Sequence, residues 1–491
     1  MKQENNSWQW CRPESQIFIE SANNSFRSFH AFFDSYGFGS SCMRIKRLLM
    51  QHVGRFETLE MPFAPSEEGE GRVTVIIGNN GAGKSSILEA LSTSLSWLVA
   101  RILREKGAGK AIDDLTICNG TSYATVETVV ESKGIEFRWS LAKTLKGRKK
   151  CVDSYLGGVT KLADTFRSSL TEDDSSSLPI MVYYSVERSV LDIPMKLKSM
   201  HTFGQLDGYD KSLHQGVDFR RFFEWFRERD ATENSSFSHQ FERVISDVGG
   251  VQSIEDINQN KELLQKILRL RIESRDIQLD AVRQAVTSFM PGFENLRLER
   301  KPRLRMMVSK GNQELDVSQL SQGEKSLMAL VGDLARRLAM MNPSLKNSLE
   351  GEGVVLIDEL DMHLHPSWQR NIIRNLQGTF PNCQFVLTTH SPLVISDAPN
   401  ILTYVLDDGE LKKVGNLYGL DANQVLLQEM DTDIRNPEVQ GRLDDLFDKI
   451  QDGEIEDAKV MLAALEEELP LDHWELNKAR ILILRKEALG A

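Results

Sequence analysis

An eight-residue segment in the first fifth of the chain has the residue types and spacing of a phosphate-binding loop. It fits the pattern GxxxxGK[ST] in full and ends in Lys84 and Ser85. Glycines let backbone N–H groups wrap phosphate oxygens, a lysine reaches the β- and γ-phosphates, and a hydroxyl can bind Mg²⁺. We therefore predict an ATP–Mg²⁺ site whose nucleotide-binding residues are Gly78, Asn79, Asn80, Gly81, Ala82, Gly83, Lys84, Ser85 and Ser86.

Two carboxylates follow an apolar run much later in the chain. The segment Gly353 to Pro366 reads GVVLIDELDMHLHP, and Asp358 and Glu359 come directly after the apolar residues. In this position Asp358 would hold Mg²⁺ together with Ser85, and Glu359 would polarise the attacking water. An acidic pair at a solvated strand end is the alternative, which the upstream phosphate loop disfavours.

Two other segments offer groups for a γ-phosphate. Ser318 to Lys325 reads SQLSQGEK ahead of a helical pattern, so Ser321 and the backbone near Gly323 would lie at a helix N-terminus, where anions bind. A plain helix cap is the alternative there. Gln384 to Pro392 reads QFVLTTHSP and places His390 at the end of a predicted strand.

The elements expected to position these residues are buried strands and amphipathic helices. Apolar runs predict strands at Arg72–Ile77, Pro179–Ser185, Gly353–Ile357 and Gln384–Thr389, and helical spacing predicts helices from Ser85 and over Gln322–Met341. Alternating patterns predict strand pairs within Met43–Met61, Tyr123–Leu141 and Leu296–Val308. The chain is therefore expected to form an α/β fold.

Two regions have a more helical and charged composition. Between about residues 190 and 290 the longest helical candidates are Phe219–Asp230 and Ile257–Val286. A 30-residue helix spans about 45 Å, which is far short of a long coiled-coil arm. The last 70 or so residues predict acidic helices with apolar faces at Leu443, Leu446, Leu462 and Leu465.

Composition restricts the class of protein. Of 491 residues, 41% are hydrophobic, the mean hydropathy is −0.32, and no uninterrupted 18-residue apolar run occurs, so we expect a cytoplasmic protein without a membrane span. Five scattered cysteines indicate neither disulfides nor a zinc site. The net charge of −12 disfavours nucleic-acid binding over the whole surface. A local basic strand face, or a merely solvated one, is offered by Arg297, Arg300, Lys301, Arg303 and Arg305.

The order of the four motifs resembles that of ABC ATPases. Ser321 and Gly323 match the serine and second glycine of the LSGGQ signature, and His390 matches the switch histidine. The resemblance implies an ABC-type P-loop ATPase core, catalytic roles for Lys84, Glu359 and His390, and a homodimer or higher oligomer that shares composite ATP sites. Gln322 and the Leu364-His365-Pro366 segment are similar to the RecF, Rad50 and OLD side of this superfamily.

The same resemblance suggests further residues near the nucleotide. Arg55 and Phe56 resemble the base-proximal turn of Rad50-type ATPases, with an ordinary β-turn as the alternative. Tyr184, Glu187 and Arg188 lie where the family has its Q-loop, although no glutamine is present, and an ordinary strand end is the alternative. His363 and His365 could be metal ligands, but no third ligand is evident.

The helical end of the chain, residues 421–490, resembles PtuA-type ATPases of Septu and some retron antiphage systems. That resemblance implies a separate PtuB-like HNH nuclease as partner and allows contact with nucleic acid or a retron ribonucleoprotein. No nuclease motif is recognised in the sequence, and Asp431-Thr432-Asp433 reads as a solvated loop instead of a Toprim site. A RecF/SMC-like ATPase in DNA repair or chromosome handling is the alternative, and a transporter subunit is a remote third.

The expected domain division follows from these segments. It comprises an unassigned N-terminal extension, the two halves of the ATPase core on either side of a helical insert, and an acidic C-terminal helical region. The corresponding residues are 1–42, 43–190, 191–295, 296–412 and 413–491.

Overall fold

The computed structural model describes residues 42–65, 71–186, 203–214, 219–248, 261–429, 436–470 and 473–489. Within these residues the strands match the sequence pattern closely, since each apolar or alternating run forms one strand or a hairpin. Strands β1 to β13 span Arg44–Val53, Phe56–Pro62, Val73–Gly78, Tyr123–Ser132, Ile135–Thr144, Ile180–Tyr184, Phe293–Glu299, Arg305–Lys310, Gln313–Asp316, Gly353–Ile357, Cys383–Thr388, Leu402–Asp407 and Glu410–Val414.

A six-stranded sheet in the order β13-β12-β3-β11-β10-β6 positions the predicted site. The pairs from β12 through β6 are all parallel, and only the edge strand β13 is antiparallel. Strands β3, β6, β10 and β11 are buried along their whole length, as expected for parallel strands covered on both faces. Because parallel strands end at one edge, this edge collects the segments that follow Gly78, Tyr184, Ile357 and Thr388.

Two antiparallel sheets flank this arrangement. One has the order β2-β1-β4-β5, and its first hairpin turns at Gly54 and Arg55. The other has the order β7-β8-β9 and leads through a short 3-10 turn, Val317–Gln319, into the helix that starts at Gln322. The first of these sheets therefore places the turn at Gly54 and Arg55 near the central sheet, and the second places the start of the helix at Gln322 near it.

The described helices, α1 to α13, cover the sheets and form the C-terminal region. Helix α1 follows the phosphate loop, and helix α6 follows the SQLSQGEK segment with the predicted bounds. The helices span Lys84–Leu103, Gly157–Glu172, Phe219–Val248, Lys261–Glu273, Ile277–Phe289, Gln322–Met341, Pro366–Gln369, Ile372–Thr379, Pro392–Ser396, Ala422–Glu429, Pro437–Asp452, Ile455–Glu468 and Trp474–Leu489.

Helix α1 is also the one helix among the described residues that is long and apolar enough to cross a membrane by length and composition alone. Its apolar residues lie in the protein core, where Ile87, Leu88, Leu91, Leu95 and Leu98 are fully buried. The apolarity of α1 is therefore accounted for by packing between the sheets.

The helical insert differs from its prediction in two respects. Helix α3 begins at Phe219 as predicted but continues to Val248, well beyond the predicted end at Asp230. The single helix predicted over Ile257–Val286 is wrong, because α4 ends at Glu273 and α5 begins at Ile277. The Asp276 side chain accepts a hydrogen bond of 2.9 Å from the Leu279 backbone nitrogen, which caps α5 and favours a new helix start. Helix α3 joins the main core through the fully buried side chains of Phe222, Trp225 and Phe226.

The C-terminal helices α11 to α13 form a bundle with a hydrophobic core of its own. Leu443, Leu446, Leu462 and Leu465, which form the predicted apolar faces, are each at most 7% exposed inside this bundle. They pack on one another because three short amphipathic helices can bury their apolar stripes mutually. These four residues are therefore structural.

The predicted domain boundaries stay a prediction, while the α/β class with a helical insert and C-terminal helices is confirmed.

Candidate nucleotide-binding site

The phosphate loop connects the buried strand β3 to helix α1. Gly81 and Gly83 have positive φ angles of 77° and 108°, and residues 79–81 at the tip are exposed. The Lys84 ammonium is folded back into the loop, where Nζ donates to the carbonyl oxygens of Gly78 at 2.8 Å and Asn79 at 3.0 Å. The loop therefore has its lysine and the first turn of α1 gathered around one exposed bend.

The turn between β1 and β2 lies against this loop. A Cβ atom placed on Gly83 would lie 2.6 Å from the Phe56 ring and 3.4 Å from the Arg55 side chain, so this position has room only for glycine. Phe56 is 1% exposed. The structure thus places the predicted base-proximal turn beside the phosphate loop, and its contact with a base stays a prediction.

The paired carboxylates follow β10 at the same edge of the sheet. Asp358 is 2% exposed, and its backbone nitrogen donates to the Tyr184 carbonyl oxygen at 2.9 Å, which extends the pairing of β10 with β6. Glu359 is half-buried and has a φ of 45°, in the left-handed region that residues other than glycine rarely adopt. The backbone therefore turns sharply directly after Asp358, and the separate roles of the two carboxylates stay a prediction.

Thr388, the last residue of β11, holds both acidic residues. Its hydroxyl donates to the Asp358 carboxylate and accepts a hydrogen bond of 2.8 Å from the Glu359 backbone nitrogen. The hydroxyl is fully buried, so neither bond competes with water. Sequence analysis did not single out Thr388, although its place two residues before His390 on a neighbouring parallel strand was a usable signal.

A second connection joins the carboxylate segment to His390. The Asp361 carboxylate accepts hydrogen bonds from the Thr389 hydroxyl and, at 3.2 Å, from the His390 backbone nitrogen. Sequence analysis also missed Asp361, since its role depends on a contact between two strand ends that are about 30 residues apart. The predicted switch histidine is therefore anchored to the segment that carries Asp358 and Glu359.

The electrostatics of this edge couple Lys84 to the acidic residues. Burial lowers the pKa of Lys84, while the charges of Asp358, Glu359 and Asp361 oppose that shift. Burial, and then the positive charge of Lys84, lower the pKa of His390. Lys84, His390 and the three carboxylates thus lie within one electrostatic neighbourhood, as a polyphosphate–metal site requires.

The residues present suit ATP and Mg²⁺. The exposed loop tip and the first turn of α1 offer backbone N–H groups, Lys84 offers a cation, and Ser85 and Asp358 offer the oxygen ligands that Mg²⁺ prefers. Ser86 lines a neighbouring cavity of about 300 Å³ together with Glu89 and Tyr183. Its predicted nucleotide contact stays a prediction, like those of the other loop residues.

The signature-like segment forms the N-terminus of α6. Ser321 is exposed and caps the helix reciprocally with Glu324, whose carboxylate accepts from the Ser321 backbone nitrogen at 3.0 Å and from its hydroxyl at 2.9 Å. A Cβ atom on Gly323 would lie 2.3 Å from the His363 carbonyl oxygen. Ser321 therefore acts as a helix cap, which is the alternative interpretation of this segment. Because the cap is exposed, an anion from outside the subunit can still reach it.

A cavity of about 540 Å³ opens beside this helix start. It lies between the first turn of α6 and the segment 363–368, and its described lining includes no residue of the phosphate loop. The lining residues are Ser321, Gly323, Glu324, Leu327, His363, Leu364, His365 and Trp368.

Of the minor candidates, His363 and His365 lie within the described residues. His365 caps α7, since its Nδ1 accepts from the Ser367 backbone nitrogen at 3.3 Å and lies 2.8 Å from the Ser367 hydroxyl. No group of three or more metal-ligating side chains is found in the described parts of the chain. Glu187, Arg188 and Asp431 to Asp433 lie outside the described residues.

The proposed basic strand face is not continuous. Residues 300–304 form the connection between β7 and β8 instead of strand, so the alternating spacing does not apply there. Three of the arginines are paired with carboxylates: Arg297 with Glu299 and Glu314, Arg300 with Asp230, and Arg305 with Glu299. This pairing favours the alternative of an ordinary solvated surface.

Comparison with known families places the chain among ATPases. A family profile described as "AAA domain, putative AbiEii toxin, Type IV TA system" matches residues 73–396, and one described as "AAA domain" matches residues 43–99. The first profile spans the phosphate loop, the signature-like segment, the paired carboxylates and His390. The matched region therefore contains every element of the site described above except the turn between β1 and β2.

Individual relatives point the same way. The chain is 34% identical over 396 residues to the "Retron Ec83 probable ATPase" of Escherichia coli, covering 75% of this chain and 72% of the relative. It is 32% identical over 409 residues to the "Retron Vc95 probable ATPase" of Vibrio cholerae serotype O1 biovar El Tor, covering 78% of each. A shorter match of 74 residues, 43% identical, covers 15% of this chain and 10% of the Septu protein PtuA of Bacillus mycoides strain KBAB4.

Among solved structures, the chain is similar to the SMC head domain from Thermotoga maritima. The TM-score is 0.39 and the identity 18%, with 76% of this chain and 98% of the head domain covered.

Proposed function

The chain belongs to the AAA-domain ATPase family that includes the retron Ec83 ATPase, with an ABC-type P-loop core, and from this membership we propose that it is a dimeric ATP-driven switch controlling a separate nuclease in antiphage defence. The observation that carries the ATP switch is the meeting of Lys84, Asp358, Glu359 and His390 at one edge of the central sheet.

The residues of this edge divide the work of hydrolysis among them. The phosphate-loop backbone and Lys84 would bind the polyphosphate. Ser85 and Asp358 would hold Mg²⁺, which would supply charge neutralisation at the transferring phosphoryl group. Glu359, which follows Asp358 directly, would orient the attacking water and accept its proton. His390 donates to the γ-phosphate and so distinguishes ATP from ADP.

The proposed oligomer is a dimer with composite sites. Ser321 and the α6 N-terminus are exposed, and the cavity beside them has no phosphate-loop residue among its described lining. A second copy related by a two-fold axis would place its own γ-phosphate at this helix start, and the relation is mutual in an isologous dimer. Two ATP molecules would then be shared between two subunits.

The proposed partner is a PtuB-like HNH nuclease acting in the cytoplasm. The support for this partner is sequence similarity, since matching relatives are named as ATPases of retrons and as the Septu protein PtuA. In a retron setting, contact with nucleic acid or a ribonucleoprotein would be added to the protein partner. Closure of two cores on ATP gives a bound nuclease two distinguishable arrangements, which is what a switch requires.

Phosphate release and oligomer mass, measured on the purified chain with ATP and Mg²⁺, test the ATP switch. We expect slow hydrolysis, an ATP-dependent dimer, and loss of both in Lys84→Ala. A folded protein that neither binds ATP nor dimerises would overturn the proposal. Lys46→Ala is the matched control, because Lys46 lies on β1 and its Nζ pairs with the Glu136 carboxylate of β5 at 2.6 Å in the antiparallel sheet.

A further inference from the structure

A buried charged cluster occupies the middle of the signature helix α6. Asp333 is fully buried, and Arg336 and Arg337 are 2% and 3% exposed. Arg336 Nη2 donates to Asp333 Oδ1 at 2.7 Å, and Arg337 Nε donates to Asp333 Oδ2 at 2.8 Å. The cluster holds two positive charges and one negative charge, so it depends on further acceptors and is not a self-contained ion pair.

Tyr184 connects this cluster to the carboxylates of the ATP site. Its hydroxyl donates to Asp333 Oδ2 at 3.0 Å, while its carbonyl oxygen accepts from the Asp358 backbone nitrogen at 2.9 Å. Tyr184 is the last residue of β6 and is 1% exposed. One residue therefore touches the predicted metal ligand with its backbone and the signature helix with its side chain.

The cluster also reaches the part of the helical insert that precedes α3. Arg337 Nη1 donates to the carbonyl oxygens of Gly208 at 2.5 Å and Asp210 at 3.1 Å. The Asp210 carboxylate in turn pairs with Arg221 of α3 at 2.8 Å. The chain of contacts thus runs from the metal ligand, through β6 and α6, to the first long helix of the insert.

Stability alone does not account for such a cluster. Buried ionic groups can often be replaced by apolar side chains at no cost to stability, because desolvation offsets their attraction. A fully satisfied buried polar network instead rigidifies the elements that it joins. Burial raises the pKa of the Asp333 carboxyl, yet the two guanidinium groups outweigh it and hold the pKa at about 2, so the charge persists at any physiological pH.

We propose that Tyr184 is a positioning residue that transmits the state of the metal-binding carboxylate Asp358 to the signature helix α6 through its hydrogen bond to Asp333. The inference rests on the proposed function, because α6 carries the segment that would meet the partner's ATP. When Asp358 and the end of β6 shift on binding of Mg²⁺–ATP, the hydrogen bond from the Tyr184 hydroxyl shifts α6 at Asp333. This contact lies about 18 Å from the N-terminus of α6, at a rise of about 1.5 Å per residue.

The test is Tyr184→Phe, which removes only the hydroxyl and leaves Asp333 paired with both arginines. Tyr209→Phe is the matched control. Tyr209 is also buried and lies between the two residues whose carbonyl oxygens accept from Arg337, but its own hydroxyl donates to the Pro179 carbonyl oxygen at 2.8 Å and not to Asp333. Both variants lose one buried phenol hydrogen bond. Thermal unfolding shows whether the two losses of stability are similar.

We expect Tyr184→Phe to bind ATP within about twofold of wild type, but to dimerise and hydrolyse ATP about tenfold less well, in line with the loss of a hydrogen bond to a charged group. Tyr209→Phe should keep wild-type dimerisation and hydrolysis. Equal behaviour of the two variants would overturn the inference.

Hydrogen exchange in residues 330–341 separates this inference from the proposed function. Mg²⁺–ATP should slow exchange there in wild type and in Tyr209→Phe, and not in Tyr184→Phe. If wild type forms no dimer with ATP, the proposed function fails, while the exchange difference still decides the coupling. ATP that leaves this segment of wild type unchanged, or protects it equally in Tyr184→Phe, would refute the role of Tyr184.

Discussion

The buried hydroxyl of Thr388 accepts a hydrogen bond of 2.8 Å from the backbone nitrogen of Glu359. The same hydroxyl donates to the Asp358 carboxylate, so one side chain fixes both the predicted metal ligand and the predicted catalytic base. Since Glu359 has a left-handed backbone, this bond helps to hold a conformation that would otherwise be unfavourable.

Replacement of Thr388 should therefore impair turnover more than binding. Thr388→Val keeps the shape but leaves the Glu359 N–H without its acceptor, and we expect hydrolysis to fall about tenfold or more, given about 1–3 kcal/mol for an unsatisfied buried group. Calorimetry should give an ATP affinity within about threefold of wild type. Thr74→Val is the control, because Thr74 is a buried threonine of β3 whose hydroxyl accepts from the Ala64 backbone nitrogen. Identical rates for the two variants would contradict this role.

Glu359→Gln should trap the ATP-bound state. The amide keeps the size of the side chain but cannot accept a proton from water, so hydrolysis should fall about a hundredfold or more while ATP and Mg²⁺ still bind. Gel filtration with ATP and Mg²⁺ should then show a long-lived dimer. Wild-type phosphate release, or the absence of any dimer in this variant, would remove Glu359 from the catalytic role.

Complementation between subunits tests the composite site. Ser321→Asp should preserve the helix cap but place a negative charge where the partner's γ-phosphate would bind, whereas Ser321→Asn preserves the cap without charge. A substitution at Gly323 is less informative, because its Cβ would meet the His363 carbonyl oxygen. We expect Ser321→Asp to be inactive and Ser321→Asn to retain partial activity.

Mixed dimers of Lys84→Ala and Ser321→Asp should regain one working site. In such a dimer one interface pairs an intact phosphate loop with an intact signature segment. Confirmed heterodimers that remain as inactive as either parent would show that the two motifs do not act across a subunit boundary.

The titration of His390 should depend on nucleotide. Burial and the charge of Lys84 lower its pKa, which favours the neutral imidazole in the free protein. The unfolded chain then binds more protons below about pH 6.5, and this group reduces stability as the pH falls through that value. NMR of His390, assigned with His390→Gln, should give a pKa below 6.5 that rises with ATP. A free-protein value above 6.5 would contradict the described environment.

The sequence predicted the parts of the site that depend on local pattern. The phosphate loop, the strands before Asp358 and His390, and the bounds of α6 follow from residue spacing and caps that act within one element. Their detailed roles remain predictions for the experiments above. Local pattern was sufficient to predict that Lys84, Asp358 and His390 lie at one sheet edge, because parallel strands end at the same edge.

The remaining features depend on contacts between distant segments. Thr388 and Asp361 act through side-chain bonds between neighbouring strands, and Tyr184 through a bond to a helix about 150 residues away. No spacing within a single element encodes such contacts. The apolar faces of the C-terminal helices were evident in the sequence. That these faces pack against one another depends on contacts among three separate helices.

The central claim, an ATP switch that controls a nuclease carried by another polypeptide, is tested most directly by a nucleic-acid cleavage assay. The chain and the product of its neighbouring gene are purified separately and together, with Mg²⁺ or Mn²⁺ and with ATP, alongside Lys84→Ala and Lys46→Ala forms. We expect that this chain alone leaves DNA and RNA uncut, and that the complex cleaves in a way that changes with ATP in wild type and Lys46→Ala but not in Lys84→Ala. Robust metal-dependent cleavage by this chain alone, with contaminating nucleases excluded, would contradict it.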